Sequence, residues 1–355
     1  MLFLNKNLIS IDIGSSCVKM LELSGRGTKT VKTTGIEILE PGVVMNGRIE
    51  DPQALTNAIS NLAKKLKIVT KGRRCALSMG GNSIVVKRAV FENVNDEMDL
   101  NEQVRYEAEQ HFQYDLEELF WDYYAMKEFS DGSGTPVIIC GAKQEVVQSY
   151  IQVIRDLGMR VGVIDSDVLC IANMFNHNYG DVKGLSAVVN VGASGTSVSL
   201  VFNGQYLYTR DIATGGDYYT QMISQNLGID RNQAENLKVT AASSSGETPQ
   251  DLMNALNELN EQLVSEVGQC VDFYFQSGEA PQEVEDLENI FLVGGGARVL
   301  GLDAALAAKY KVPVNVLNPF HKIEVNPKKI EMEYLLTQGH LYGVSVGLGL
   351  REMND

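Results

Sequence analysis

The sequence predicts an α/β fold of two related halves, with a smaller α+β module set into the chain between their opening motifs. Three observations carry that expectation. A strand, a small-residue turn, two more strands and a helix occur near the start and recur from about residue 185. A third glycine turn, Gly294-Gly295-Gly296, links a strand to a helix. A stretch of different flavour, residues 83–160, separates the two echoes.

The first echo opens on "LISIDIGSSCVKMLEL", Leu8 to Leu23. Apolar alternation and β-branched residues mark "LISIDIG", "CVKMLELS", "TVKTTGIEIL" and "RCALSMG" as strands. "QALTNAISNLAKKLKI", after Asp51-Pro52, reads as a helix through Leu55, Ile59, Leu62 and Leu66. In the module, "SIVVKRAVF", "LFWDYYAMKEF" and "TPVIICGA" read as strands, the last two separated by the turn "SDGSG". One helix, "LNEQVRYEAEQHF", is apolar at Leu100, Val104, Ala108 and Phe112; a second runs from Gln144 to Leu157, and a strand near "MRVGVID" completes the unit. The aromatics of "FWDYY", Phe120 to Tyr124, are spaced to pack a sheet face or a partner's groove.

"GLSAVVNVGASGTSVSLVFNGQYLYTRDI" repeats the opening theme, with "NGQ" as its second turn. "GGDYYTQMISQNLGI" and "RNQAENLKVTAA" read as helices and "SSSGETP" as a loop. Thr248 is expected to cap the next helix, with Pro249 in its first turn. Leu252, Leu256, Leu259, Leu263, Val267, Cys270 and Tyr274 give that helix one long apolar stripe. "NIFLVGGGARVLGLDAALAAKY" reads as strand, glycine turn and helix, and "LYGVSVGLGL" as a last short helix.

A chain of 355 residues with 44% hydrophobic content accommodates two domains and a sizeable core. The net charge of −15 argues against nucleic acid or an anionic membrane as a direct partner, and "NPKK", Asn326 to Lys329, is too short to alter that. Five scattered cysteines without a CxxC pair fit small buried hydrophobes in a reducing compartment, and four dispersed histidines do not suggest zinc. No signal-like leader and no run near the ~18 apolar residues of a spanning helix is evident, so a cytoplasmic location is expected.

The chemistry concentrates in three glycine turns that follow strands: Gly14-Ser15-Ser16, Gly192-Ala193-Ser194-Gly195-Thr196 and Gly294-Gly295-Gly296. Glycine lets the backbone bend tightly enough for N–H groups to meet phosphate oxygens, and serine and threonine hydroxyls add donors. Asp12, at a strand end, suits a magnesium ion held directly or through water, and Lys19 would neutralise phosphate charge. No GxxxxGK[ST] loop occurs, and "GGGARVLG" does not fit the dinucleotide fingerprint. The expectation is a nucleotide gripped between two duplicated halves, two turns on its phosphates and the third on its nucleoside.

These motifs resemble the actin/Hsp70/sugar-kinase superfamily, whose actin-like, ribonuclease H-like fold is duplicated in this way. "IDIGSSCVKMLEL" is similar to its first phosphate motif, "VVNVGASGTSVSLV" to its second and "NIFLVGGGARVLGL" to its adenosine motif. "AENLK", Ala234 to Lys238, resembles the helix that contacts ribose and base, which implies that role for Glu235 and Lys238. Gly294 to Ala297 would line the nucleoside, and Gly215, Gly216 and Arg298 join the implied nucleotide-binding set. The inserted module is similar to subdomain 1C of FtsA and its relatives. With "RYEAEQHFQYDLEE", "TRDIATGGDYYTQMI", "VDFYFQS" and "VNVLNPFHKIEV", the chain resembles the PilM family of type IV pilus assembly proteins from about Asn7 to Arg351.

That resemblance implies residues 1–82 and 161–184 as subdomain 1A, 83–160 as 1C, 185–224 and 281–355 as 2A, and 225–280 as 2B. It implies ATP with Mg2+ as ligand and the cytoplasmic N-terminal peptide of PilN as partner, in a groove between 1A and 1C. Other pilus inner-membrane components, motor ATPases and self-association are further implied contacts, with the membrane reached only through a partner. One departure bears on catalysis. Catalytic superfamily members begin the second phosphate motif with Asp where this chain has Asn190, and an amide supplies neither charge nor base. Binding with weak or absent hydrolysis follows. Two other readings stand beside this one. An FtsA-like filament protein would need a basic amphipathic anchor, yet only "REMND" follows the last apolar run. A small-molecule kinase would need a carboxylate base, for which Asp211 is the nearest candidate and hairpin-end packing the commoner role.

Overall fold

The structure, a computed structural model, describes residues 8–25, 27–92, 94, 96–126, 134–241, 248–278, 280, 283–327 and 330–351. The turn "SDGSG" apart from Gly134, the loop "SSSGETP" apart from Thr248 and Pro249, the lysines of "NPKK" and residues 352–355 lie outside the described residues. The chain divides into two compact units, one of residues 1–20, 35–167 and 351–355, the other of 21–34 and 168–350.

In the first unit the early elements are β1 (Ile9–Ile13), β2 (Cys17–Ser24), β3 (Thr30–Ile38), β4 (Val44–Met45), β5 (Arg48–Ile49), α1 (Pro52–Lys65) and β6 (Arg74–Met79); β2 and β3 run on into the second unit. The module's elements follow as β7 (Ile84–Phe91), α2 (Glu97–His111), β8 (Leu119–Ala125) and β9 (Thr135–Lys143), and then α3 (Gln144–Asp156) and β10 (Arg160–Ser166). The main sheet runs β10-β6-β1-β2-β3, with β6 parallel to both β1 and β10. β1 is covered on both faces: all five of its residues are buried, Ser10 and Asp12 included. The Asp51 carboxylate caps α1 by accepting from the Ala54 N–H at 2.9 Å, and Leu55, Ile59 and Leu62 enter the core as their spacing predicts.

β7, β9 and β8 form a separate antiparallel sheet in that order. α2, capped by Asp96, packs Leu100, Val104 and Ala108 against Leu119, Val137 and Ile139. The Phe112 ring lies over Gly141, where an added Cβ would meet it at 2.6 Å. Trp121 and Tyr123 face this cluster, whereas Phe120 and Tyr124 are exposed on the alternate positions. α3 is not part of that cluster: Val147, Tyr150 and Ile154 join Ile9, Ile11 and Leu77 in the main core. Its apolar face therefore belongs with β1 and β6, although the sequence groups it with residues 83–160.

The second unit holds α4 (Asp167–Tyr179, Asp167 itself counting with the first unit), β11 (Leu185–Val191), β12 (Thr196–Phe202), β13 (Gln205–Ile212), α5 (Gly216–Leu227), α6 (Arg231–Ala241) and α7 (Gln250–Ser277). It continues through β14 (Leu287–Val293), α8 (Leu302–Tyr310), β15 (Val314–Val316), β16 (Glu324–Val325), α9 (Met332–Gln338) and α10 (Gly343–Gly349). Its sheet runs β13-β12-β11-β14-β15, antiparallel at β11–β12 and parallel at β11–β14. The whole predicted stripe of α7 is buried. Thr248 does not cap that helix: Pro249 occupies the cap position, where its ring holds φ at a helical −53° but ψ is 137°, so the first helical residue is Gln250. α10 lies against α4 so closely that a Cβ on Gly347 would come within 1.9 Å of the Cys170 carbonyl oxygen. Among the described residues no helix is long and apolar enough to cross a membrane.

Candidate functional site

The β1–β2 turn closes with the Gly14 N–H donating to the Cys17 carbonyl at 3.1 Å. A Cβ on Gly14 would meet that carbonyl oxygen at 3.2 Å and the Lys19 ammonium at 3.9 Å, so the lysine head sits under the turn. Asp12 is buried, and its carboxylate accepts from Lys19 Nζ at 3.2 Å. Burial opposes the charge on Lys19, but Asp12, Cys17 and Asp167 outweigh it and hold the lysine above its ordinary pKa. The predicted magnesium ligand and the predicted phosphate neutraliser are thus partners. Lys19 stays cationic beside the turn, and a metal ion at Asp12 would share the carboxylate with it. Ser15 is half-buried, while Ser16 is exposed and anchors the turn through its carbonyl, which accepts from Leu39 N–H at 2.9 Å.

Asp167, at the start of α4, is a second carboxylate near Lys19 that sequence reasoning missed. A Cβ on Gly80 would come within 2.1 Å of its Oδ2, so the absent side chain at residue 80 makes room for it. Its only sequence signal was an acid at a strand-to-helix junction, "IDSD", of the same kind as "IDIG".

In the second unit the β11–β12 turn closes identically in kind, Gly192 N–H to Gly195 carbonyl at 2.9 Å. The first turn of α5 is tied to it: Gly216 N–H donates to the Gly192 carbonyl and Asp217 N–H to the Ala193 carbonyl, both at 2.9 Å. A Cβ on Gly215 would lie 2.4 Å from Gly195 N, which explains the small residue there. Ser194 is exposed at the turn, whereas Thr196 is buried and its hydroxyl donates to the Thr214 carbonyl at 2.7 Å. The third turn wraps the end of β11. Gly294, at φ 89°, would place a Cβ 2.5 Å from the Asn190 side-chain oxygen, and Gly296 one 2.3 Å from Val191 Cγ1. Gly295 is exposed, and Arg298 donates to the Leu336 carbonyl at 2.9 Å. Gly294 N–H donates to the carbonyl of buried His340, whose imidazole is pushed down to about 4 by burial and by the Arg298 charge.

Lys238 is buried behind the start of α5, and its ammonium donates to the Gly216 carbonyl at 2.8 Å, Thr220 Oγ1 at 2.8 Å and Glu235 Oε2 at 2.7 Å. The Thr220 hydroxyl also meets the Glu235 carboxylate. Lys238 is therefore a brace between α5 and α6, and half-exposed Glu235 is the member of the pair that a ligand could reach. Asp211 stands exposed in β13, opposite Ser197 in the ladder.

With this geometry in place, comparison with known proteins gives a consistent result. The profile of the family described as type IV pilus assembly protein PilM matches residues 10–353. The chain is similar to a solved PilM–PilN type IV pilus biogenesis complex, 23% identical over 98% of this chain and 99% of that one, with a TM-score of 0.84. It is also similar to ethanolamine utilization protein EutJ from Carboxydothermus hydrogenoformans, 13% identical over 97% and 89% of the two chains, TM-score 0.59. MreB5 of Spiroplasma citri bound to AMPPNP is 11% identical over 97% and 95%, TM-score 0.57. At these identities the likeness is one of fold, and the fold is that of the actin-like ATPases.

Proposed function

The chain belongs to the type IV pilus assembly protein PilM family, and from that premise we propose that it is an ATP-binding, actin-like adaptor of the pilus assembly complex that binds the cytoplasmic N-terminal peptide of PilN. The observation that carries the reading is the family match itself, which spans residues 10–353 and so takes in the glycine turns and the inserted module. In this reading the chain works on the cytoplasmic side of the inner membrane and reaches the membrane through PilN. Residues 83–160 act as subdomain 1C, beside 1A (1–82, 161–184), 2A (185–224, 281–355) and 2B (225–280).

The residues present fit a magnesium–nucleotide. Lys19 is held cationic by Asp12, Gly14 and Gly192 each open a tight turn with hydroxyl-bearing neighbours, and Gly294 keeps the end of β11 uncrowded. Lys19 and Ser15 would bind phosphate oxygens, Asp12 would hold Mg2+, and Glu235 with Gly294 to Gly296 would hold the nucleoside. Lys238 would act by bracing α5. The neutral Asn190 leaves the second turn without a base, so the nucleotide serves as a structural or switching ligand more than as a fuel. Calorimetric titration of the full chain with ATP–Mg2+ and with a PilN N-terminal peptide tests both halves of the reading. Saturable heat from each is expected. No heat from ATP would remove the nucleotide half, and no heat from the peptide would remove the adaptor half.

A further inference from the structure

Eight of the chain's 30 lysines and arginines fall within residues 64–74 and 155–160, which together carry one carboxylate, Asp156. The fold joins these stretches: Gly72 N–H donates to the Gly158 carbonyl and Arg160 N–H to the Arg73 carbonyl, both at 2.8 Å. Arg74 and Arg160 are register partners on parallel β6 and β10, so their side chains leave the same face of the sheet. Like charges placed opposite one another cost stability. Helix C-termini account for Lys64, Lys65 and Arg155, which offset the carbonyl ends of α1 and α3. They do not account for Arg160 or Lys71, and neither these two nor Arg155 forms an ion pair among the described residues.

Beside these cations lies a groove of about 360 Å³ between α3 and β10. Ile151, Met159, Val161 and Val163 line it together with Arg155 and Arg160. β10 is the outer strand of its sheet, with Gly162 the extra residue of a bulge where the register steps from Val161 to Val163. An outer strand leaves main-chain donors and acceptors without a strand partner, and a bulge blunts indiscriminate pairing there.

We propose that this groove binds an extended segment of a partner protein in which carboxylates alternate with apolar residues. The apolar side chains fill the floor, and the carboxylates take the guanidinium forks of Arg155 and Arg160, a geometry that arginine serves and lysine does not. Because the bulge interrupts any ladder, side chains set the specificity. A bilayer is the poorer occupant: it would engage the lysines around exposed Val69 and leave a concave groove unfilled.

The test pans a phage library of random dodecapeptides on the full chain, with Arg155→Glu/Arg160→Glu as counter-target, and measures winners by fluorescence anisotropy. Enriched peptides are expected to alternate acidic and apolar residues. Their dissociation constants should rise at least tenfold in the double variant and in high salt, and change less than threefold in Lys64→Glu/Lys71→Glu. A PilN N-terminal peptide, titrated in parallel, should bind wild type and the arginine variant alike, which separates this site from the adaptor reading and checks folding. No enrichment, enrichment without carboxylates, or affinity indifferent to the arginines overturns the proposal. So does retention on vesicles of phosphatidylcholine with 30% phosphatidylglycerol that depends on Arg155 and Arg160 while acidic peptides fail.

Discussion

Lys19→Met separates what the Asp12–Lys19 pair does for folding from what it does for ligand. The two side chains are 5% and 12% exposed, so little solvent screens them. Removing one partner strands the other's charge in the core at about 3–5 kcal/mol, whereas replacing both with neutral groups of similar size is close to neutral. In a unit of this size that loss lowers the melting temperature by roughly 6–20 °C. Asp12→Asn should cost less than Lys19→Met, because Asp167 still faces the lysine, and the double variant should recover part of the larger loss. Because the folded-state lysine pKa is raised, its stabilisation is complete below the ordinary lysine range and fades only as pH climbs above it. The gap between wild type and Lys19→Met should therefore be flat from about pH 6 to about pH 9. Thermal melts give the stabilities, and calorimetry with ATP–Mg2+ should find affinity down at least tenfold in all three variants, including the refolded double. Additive losses in the double variant would refute the pairing argument. Wild-type affinity in Lys19→Met would take the lysine out of the ligand site.

Three further outcomes are expected. His340 is held neutral with its pKa near 4, so the unfolded chain binds the extra proton between about pH 6.5 and 4 and stability falls as pH drops through that window. From pH 7 to 5 the loss should be about 2 kcal/mol by urea midpoint, and His340→Asn should remove that slope; an unchanged slope would assign it elsewhere. Lys238→Met loses three charge-assisted hydrogen bonds and should cost about 1.5–3 kcal/mol, with weaker ATP binding through a loosened α5; equal stability would deny the brace. Asn190→Asp is nearly isosteric and restores a carboxylate beside Gly294, so phosphate release should rise at least tenfold, and a silent variant would show that the second turn lacks more than its charge.

The sequence discloses these elements unevenly, for physical reasons. Strands β1, β2, β11 and β12 were legible because their apolar runs are long and end at glycine, and α7 because seven buried positions repeat over its length. Asn203-Gly204 reads as a turn between two evident strands, whereas Asn46-Gly47, with φ of 49° and 78°, makes its turn without such flanks. The same primed-turn signal there joins strands of only two residues, too short to show alternation. α3 displayed an apolar face but not its destination, since periodicity says that a face is buried and not against what. Asp167 was invisible for a similar reason: its meaning depends on Gly80, 87 positions earlier, having no side chain.

The duplication itself shows where pattern and chemistry part. Gly14 bonds to Cys17 and Gly192 to Gly195 across the same span, so both halves keep one backbone turn. The side chains two residues before the glycine are Asp12 and Asn190, and five after it Lys19 and Ser197. One turn carries a buried ion pair, and at the matching positions the other carries an amide and a hydroxyl. Backbone geometry survives such replacements, because glycine and the N–H to carbonyl closure set it without help from these side chains. Charge does not survive them. Under the proposed function, metal and phosphate charge would fall to Asp12, Lys19 and Asp167, and the Gly192 turn would offer main-chain donors without a charged pair. Carrying the charged pair across as Asn190→Asp/Ser197→Lys should give the second turn an ion pair of its own and a second, salt-sensitive contribution to ATP affinity; unchanged affinity in a stable double variant would mean that matching backbone is not enough to make a matching site.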